Sequence, residues 1–381
     1  MTRNKEKRKD VSIYGMRLMA MAVLMSIAGV VMILSATSIS ARAEHLSSFA
    51  YLSRQSIRVV AGLVLMVIAS RIDYHRIRPV SFLALMVTLV FLVICILPGT
   101  EAIAPVIGGA RRWIHLGSFS FQPSELAKFF LICWAAGYLM RKQDSINSFV
   151  KGFVPFGVFV GIFSLLILSQ PDFSMAALIV FMVFMVGFIG GIRPAHILLV
   201  SLVVLPLVTY KYVVKVKFRI DRVTSYRGEN PDKDGIGYQA NQSQIALGSG
   251  GITGLGLGQS RQKYFYLPAA HTDFIFSIIG EELGFLGTTA TILTYFLLTL
   301  FGLKVARGAP DYYGFLLASG LTLMIFTTAL LHVAVASGLT PTTGLPLPFL
   351  SYGGTNLATT FGAVGILDNI SRHSAETAAD A

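Results

Sequence analysis

Cysteine, tryptophan and acidic residues are all scarce in this chain. Its 381 residues include two cysteines, two tryptophans, and 19 acids against 31 lysines and arginines. Cys95 and Cys133 both fall inside apolar runs, which argues against a disulfide-stapled fold and against a cysteine-ligated metal knuckle. Charge of either sign is thin as well: 13% of residues are charged, against roughly 25% in ordinary soluble domains. There is no G-K-S/T phosphate loop and no G-x-G-x-x-G fingerprint, so the common nucleotide-binding loops are excluded. No repeat of fixed period is present.

What fills the chain is apolar sequence. Hydrophobic residues make up 54% and the mean hydropathy is +0.68, values that mark an integral membrane protein. Apolar runs of roughly 17 to 25 residues, each long enough to cross a bilayer as a helix, recur ten times. They lie near 16–38, 57–71, 79–97, 124–140, 153–169, 173–191, 196–214, 274–303, 314–336 and 355–370. The expected fold is therefore all-α: a polytopic membrane protein of about ten transmembrane helices. The first run follows the basic stretch "MTRNKEKRKD" but is too long for a signal peptide and lacks a small-residue cleavage site.

Lysine and arginine concentrate in the N-terminus and in the short loops 71–78, 141–151 and 302–311, which places that side in the cytoplasm. An even number of spans returns the C-terminus there. Residues 1–15 and 371–381 are then cytoplasmic tails on a single membrane domain, 16–370. The loops 39–56, 98–123, 215–273 and 337–354 fall on the outer face, the largest between the seventh and eighth spans.

Polar chemistry crowds those outer loops. Between Lys211 and Lys263 nine lysines and arginines face four acids, a positive excess suited to an anionic lipid headgroup or lipid pyrophosphate rather than to nucleic acid. "IALGSGGITGLGLGQSRQKYFYLP" carries six glycines, which serve either as an anion-binding nest or as a tight loop returning to the membrane. In "PVIGGARRWIHLGSFSFQPSELAK", Ser124 is expected as a cap near the start of the fourth helix, and Glu125 and Lys128 lie three apart on its first turns. They either neutralise each other, or Lys128 joins Arg111 or Arg112 on a phosphate while Glu125 orients it. Asp172 in "SQPDFS" is a helix cap, or a partner for Lys128 or for a cation in the site. "SGLTPTTGLPLPFLSYGGTN" is rich in proline and glycine yet apolar, which fits a re-entrant loop packed inside protein.

Four of these stretches together resemble the signatures of the SEDS family (shape, elongation, division and sporulation proteins). They are "GARRWIHLGSFSFQPSELAK", "QPDFS", "GLGLGQSRQKYFYLPAAHTDFIFSIIGEELGF" and "GLPLPFLSYGG". The match runs over nearly the whole chain and is similar to the division and sporulation branch rather than the elongation branch. The resemblance implies a peptidoglycan glycosyltransferase that polymerises lipid II at the outer face of a bacterial cytoplasmic membrane, at the division septum. Its implied partners are a class B penicillin-binding transpeptidase and other membrane proteins of the division machinery. Asp273 would be the catalytic carboxylate. Arg111, Arg112, Glu125, Lys128 and Lys263 would serve the substrate pyrophosphate, with Asp172, His271, Gln244 and Ser351 in support. No cofactor is assigned; a divalent cation, Mg or Mn, is compatible with such a substrate. The chain departs from the family pattern at Ala269, where glutamate is usual, at Ser174 for glycine, and at Thr355 for serine.

Chemistry agrees that one carboxylate is enough. Converting an α-linked lipid pyrophosphate into a β-1,4 bond needs a single inverting displacement, and pyrophosphate leaves without the protonation that an alcohol requires. Asp273 and His271 are both able to take the proton from the acceptor hydroxyl; the family pattern favours Asp273. Two rival functions, a lipid II flippase and a non-catalytic scaffold, would also use ten spans. A flippase needs charge across the membrane midplane and on both faces, whereas the motif-bearing residues here crowd one face. Glu281 and Glu282, further into the eighth helix, are expected to pack against polar groups of other helices.

Overall fold

In hydrocarbon a backbone must close its own hydrogen bonds, and each apolar run does so as a helix. The computed structural model describes residues 2–43, 47, 49–117, 119–214 and 236–380. It contains α1 (Thr2–Ala43), α2 (Ala50–Arg71), α3 (Ile77–Ile94), α4 (Pro123–Arg141), α5 (Val154–Ser169) and α6 (Phe173–Ile189). There follow α7 (Pro194–Thr209), α8 (Ile236–Ser249), α9 (Ile275–Gly308), α10 (Tyr312–Ala336) and α11 (Thr355–Asp380). Each of the ten expected spans falls on one of these helices. Among the described residues seven segments are long and apolar enough to cross a membrane, and α6 is a shorter apolar helix. Of the others, α8 lies in the loop between the seventh and eighth spans, while α4 and α11 carry charges that α10 and α6 lack.

The terminal helices run through the expected tails, α1 from Thr2 and α11 to Asp380. Two features were not anticipated in an all-α chain. Strands β1 (Ile114–Leu116) and β2 (Phe119–Phe121) pair antiparallel, His115 opposite Ser120. Their cause is local: "IHLGSFSF" alternates apolar and polar residues, and Gly117 takes the left-handed φ of +62° that the turn needs. The second is a break in α9, where Gly284 sits at φ 65°, ψ −161°.

The core gathers around α4 and α10. Both bury residues on nearly every face, among them Leu131, Ile132 and Ala135 of α4 and Leu317, Leu321 and Met324 of α10. Close approach by a small residue seats α11 on α2: a Cβ on Gly365 would lie 2.3 Å from the Met66 carbonyl oxygen. No residue of α7 is buried.

The loops expected on the outer face meet at one end of the bundle. Gln122 N–H donates to Thr355 Oγ1 (3.0 Å), Ser35 Oγ to Glu282 (2.6 Å), and Ser243 Oγ to the Ala336 carbonyl (2.7 Å). The basic loops meet at the other end, where His75 lies between Asp73 and Asp311 and Tyr74 N–H donates to Asn369 (2.9 Å). Of the nine lysines and arginines between Lys211 and Lys263, the six from Lys215 to Lys233 lie outside the described residues.

Candidate active site

Asp273 sits at the end of a tight turn that leads into α9. Its N–H and that of Thr272 both donate to the Ala269 carbonyl, at 3.0 and 3.1 Å, with Ala269 held at φ +54°. Helix α9 begins two residues later, so the carboxylate stands at the helix entrance, half-buried.

The loop between α10 and α11 zips onto this turn. Ser351 Oγ donates to the Thr272 carbonyl (2.6 Å) and accepts from Leu347 N–H (2.8 Å). Tyr352 N–H donates to the His271 carbonyl (2.9 Å), and the rings of His271, Tyr352 and Tyr51 pack edge to face with centroids 5.5 to 5.6 Å apart. His271 is therefore held in an aromatic cluster and Ser351 in a backbone clasp. A Cβ on Gly344 would lie 3.5 Å from Asp273 Oδ2, so this loop passes directly over the carboxylate. Leu345, Leu347, Phe349 and Leu350 are buried, as expected of an irregular loop packed inside protein.

A second polar cluster lies in the first turns of α4. Lys128 Nζ is 2.7 Å from Glu125 Oε2, with both side chains almost fully buried. Asn356 Nδ2 donates to the same oxygen (3.1 Å), while Glu125 Oε1 and Ser124 Oγ are buried without a hydrogen-bond partner. Ser124 therefore does not cap α4: the helix already begins at Pro123, with Gln122 at the N-cap and no side-chain cap, so Ser124 lies inside the first turn. Asp172 caps α6 through Met175 N–H (3.3 Å) and accepts from Gln122 (3.4 Å). So the structure brings Glu125, Lys128, Asp172 and the 351–356 segment into one neighbourhood.

The two arginines are engaged elsewhere in the same outer layer. Arg112 donates to the carbonyls of Gln170 (3.1 Å) and Pro171 (2.7 Å). Arg111 pairs with Glu101 (2.8 Å) and reaches the Leu97 carbonyl. Glu101 is held below its ordinary pKa first by its own backbone N–H, then, against slight burial, by Gly99 N–H and Arg111.

Lys263 is not on this rim. It is buried, 3.5 Å from Glu282, and donates to the Gly258 carbonyl. Beside it Glu281 accepts from Ser260 Oγ and from the N–H groups of Arg261 (3.0 Å) and Gln262 (3.3 Å). The adjacent glutamates thus bind the glycine-rich segment and α1 rather than distant helices alone. Gln244 is exposed and packs over Gly338, at the start of the α10–α11 loop. Among the described residues no group of three or more His, Cys, Asp or Glu side chains is placed to hold a metal ion.

Two site residues escaped the sequence reading. Asn356 follows the "SYGG" motif and its only signal is that adjacency. Arg58 lies inside an apolar run of α2, and its guanidinium carbon stands 4.5 Å from the centre of the Tyr352 ring.

Comparison with known proteins gives the family and the fold. The model of the FtsW, RodA and SpoVE family, described as cell cycle protein, matches residues 16–376. The chain belongs to this family. Among its FtsW-type relatives, the probable peptidoglycan glycosyltransferase FtsW of Geobacter sulfurreducens is 39% identical over 363 residues, covering 95% of this chain and 96% of that protein. Stage V sporulation protein E of Bacillus subtilis is 40% identical over 358 residues, 94% of this chain and 96% of its own. Two solved structures share the fold at 27% identity. One, described as "Structural coordination of polymerization and crosslinking by a peptidoglycan synthase complex", superposes with a TM-score of 0.74 over 94% of this chain and 97% of the other. The other, the rod shape determining protein RodA of Thermus thermophilus, has a TM-score of 0.64 over 93% and 95%.

Proposed function

We propose that this FtsW/RodA/SpoVE-family protein is a peptidoglycan glycosyltransferase of the division type, polymerising lipid II at the outer face of a bacterial cytoplasmic membrane. The observation that carries the reading is the placement of Asp273: a half-buried carboxylate at a helix entrance, on a turn whose Thr272 and His271 carbonyls are clasped by Ser351 and Tyr352, and bordered by a bare glycine. The topology that goes with it has ten spans and both termini in the cytoplasm.

In the proposed reaction Asp273 takes the proton of the acceptor sugar's 4-hydroxyl as that oxygen attacks the donor's anomeric carbon from the face opposite the lipid diphosphate. The new C–O bond forms as the old one breaks, and the electron pair leaves on the diphosphate. Cationic donors stabilise that leaving charge, worth most where water is excluded. His271, held between two tyrosines, is the positioning neighbour rather than the base. Partners consistent with the neighbouring structures are a class B penicillin-binding transpeptidase and other division proteins, at the septum.

The distribution of buried charge supports an enzyme over a flippase. Among the described residues, Glu125, Lys128, Asp172, Lys263, Glu281 and Glu282 lie at the end holding Asp273, and Asp368 lies at the opposite end. Among the described residues no other charged residue is fully buried, and Arg58 of α2 is half-buried.

The deciding experiment is glycan polymerisation by purified protein on lipid II, with and without its transpeptidase. Asp273→Asn should lower turnover by about 10² to 10⁴ while partner association survives. His271→Ala should cost far less. Near-normal turnover by Asp273→Asn, or a loss confined to His271→Ala, overturns the assignment.

A further inference from the structure

Most cations at the end of the bundle that holds Asp273 already have partners: Glu101 for Arg111, carbonyls for Arg112, Glu125 for Lys128, Glu282 for Lys263. Arg58 differs. Its Nη1 is shut off from solvent and makes no hydrogen bond, and among the described residues no carboxylate pairs with it. Arg58 is half-buried, but leaving one guanidinium nitrogen buried without a hydrogen bond is costly, and a cation within a membrane span is functional by default.

Its position identifies the ligand. Arg58 lies eight residues into α2, about 12 Å below the start of the helix. On one side are Ile57, Val60 and Val64, all exposed apolar residues suited to a lipid chain. On the other is Tyr352, over whose ring Arg58 is stacked, and whose N–H holds the His271 carbonyl two residues from Asp273. Arg58 Nε lies 3.5 Å from where a Cβ on Gly354 would be, so bare backbone borders the guanidinium.

We propose that Arg58 binds the phosphate oxygens of a lipid-linked diphosphate, holding it where the apolar face of α2 meets the Asp273 turn. A guanidinium donates two parallel N–H bonds to a phosphate, and the group's charge supplies the missing counter-ion. The inference rests on the glycosyltransferase reading, whose donor carries such a diphosphate. An anionic phospholipid headgroup offers the same chemistry from a second source.

The test titrates a short-chain polyprenyl diphosphate, with the polyprenyl alcohol as control, against the full chain in nanodiscs, following thermal unfolding. In phosphatidylcholine the diphosphate should stabilise the wild type, bind about tenfold more weakly to Arg58→Gln, and fall between for Arg58→Lys, which keeps charge without the fork. If phosphatidylglycerol instead stabilises the wild type but not Arg58→Gln, and the diphosphate does not discriminate, the bound phosphate is the headgroup's. Equal responses of wild type and Arg58→Gln to both ligands overturn the proposal. Should Arg58→Gln not fold, Arg58→Lys decides: diphosphate affinity equal to wild type sinks it. Wild type that polymerises lipid II while Arg58 variants bind normally removes only this assignment, whereas a chain that binds but never polymerises removes the glycosyltransferase reading.

Discussion

The backbones of Gly254 and Gly284 meet with no room for a side chain on either. A Cβ on Gly284 would lie 2.3 Å from the Gly254 nitrogen, and one on Gly254 only 2.1 Å from the Glu282 carbonyl oxygen. Both residues also take left-handed φ, +83° and +65°. Around this joint Leu255 and Gly256 donate to the carbonyls of Glu281 and Glu282, each at 3.0 Å. The glycine-rich segment is thereby stitched onto the break in α9.

Replacing Gly254 by alanine should therefore destabilise the protein by at least about 2 kcal/mol, since it adds backbone strain to a clash with immovable backbone. Thermal unfolding in detergent micelles measures it. Gly248→Ala is the control, because a Cβ there meets nothing within 4 Å. Equal melting temperatures for the two variants would mean the segment is not seated on α9.

The ten apolar runs were legible because bilayer thickness imposes a length on them and hydrocarbon forbids any other local structure. Asp273, Glu125 and Lys128 were legible because charge at a membrane boundary is rare enough to stand out. What one sequence does not carry is pairing across the chain. Nothing near Lys263 announces that Glu282 will take its charge, or that Ser35 of α1 will donate to the same carboxylate. Arg58 was missed for the complementary reason: a single arginine in an apolar run reads as a lipid-facing or snorkelling side chain until Tyr352 is folded against it. The β1–β2 hairpin is short enough that three alternating residues on each side are lost among longer signals.

The Glu125–Lys128 pair separates structural from chemical roles. Removing one partner of a buried ion pair strands the other, so Lys128→Met and Glu125→Leu should each cost about 3 to 5 kcal/mol, while the double variant should recover most of it. Melting temperatures in micelles establish the recovery. Polymerisation by the recovered double variant then decides: activity near wild type means the pair only neutralises itself, and loss with full stability means Lys128 acts on substrate.

Cysteine chemistry tests the topology with little background, because both native cysteines are buried. A cysteine at exposed Thr253 should react with a membrane-impermeant maleimide added outside cells stripped of any outer membrane. One at exposed Asp144, in a basic loop at the other end, should react only after lysis. The reverse pattern would invert the orientation and put Asp273 on the wrong side for its substrate.

At the opposite end from Asp273, Asp311 ties α10 to the Tyr74–His75 turn between α2 and α3. It caps α10 through Gly314 N–H (2.7 Å), accepts from the Tyr74 hydroxyl, and lies 2.9 Å from His75 Nε2, whose other ring nitrogen is 2.7 Å from Asp73. Burial raises the pKa of each carboxyl, but hydrogen bonds outweigh it, from His75 for Asp73 and from Tyr74, Gly314 and His75 for Asp311. Both folded-state values therefore lie below the ordinary 3.8. A lowered carboxyl pKa contributes stability that is fully present above the unfolded value and disappears as pH falls through the folded one. Asp311→Ala should accordingly lower stability at pH 7 by about 1 to 2 kcal/mol, the usual worth of a helix cap. The gap from wild type should hold down to about pH 5 and narrow progressively below 3.8. Paired thermal melts at pH 7, 5 and 3 read it out. A gap that stays constant to pH 3 would show that the ionised carboxylate is not what joins α10 to the Tyr74–His75 turn.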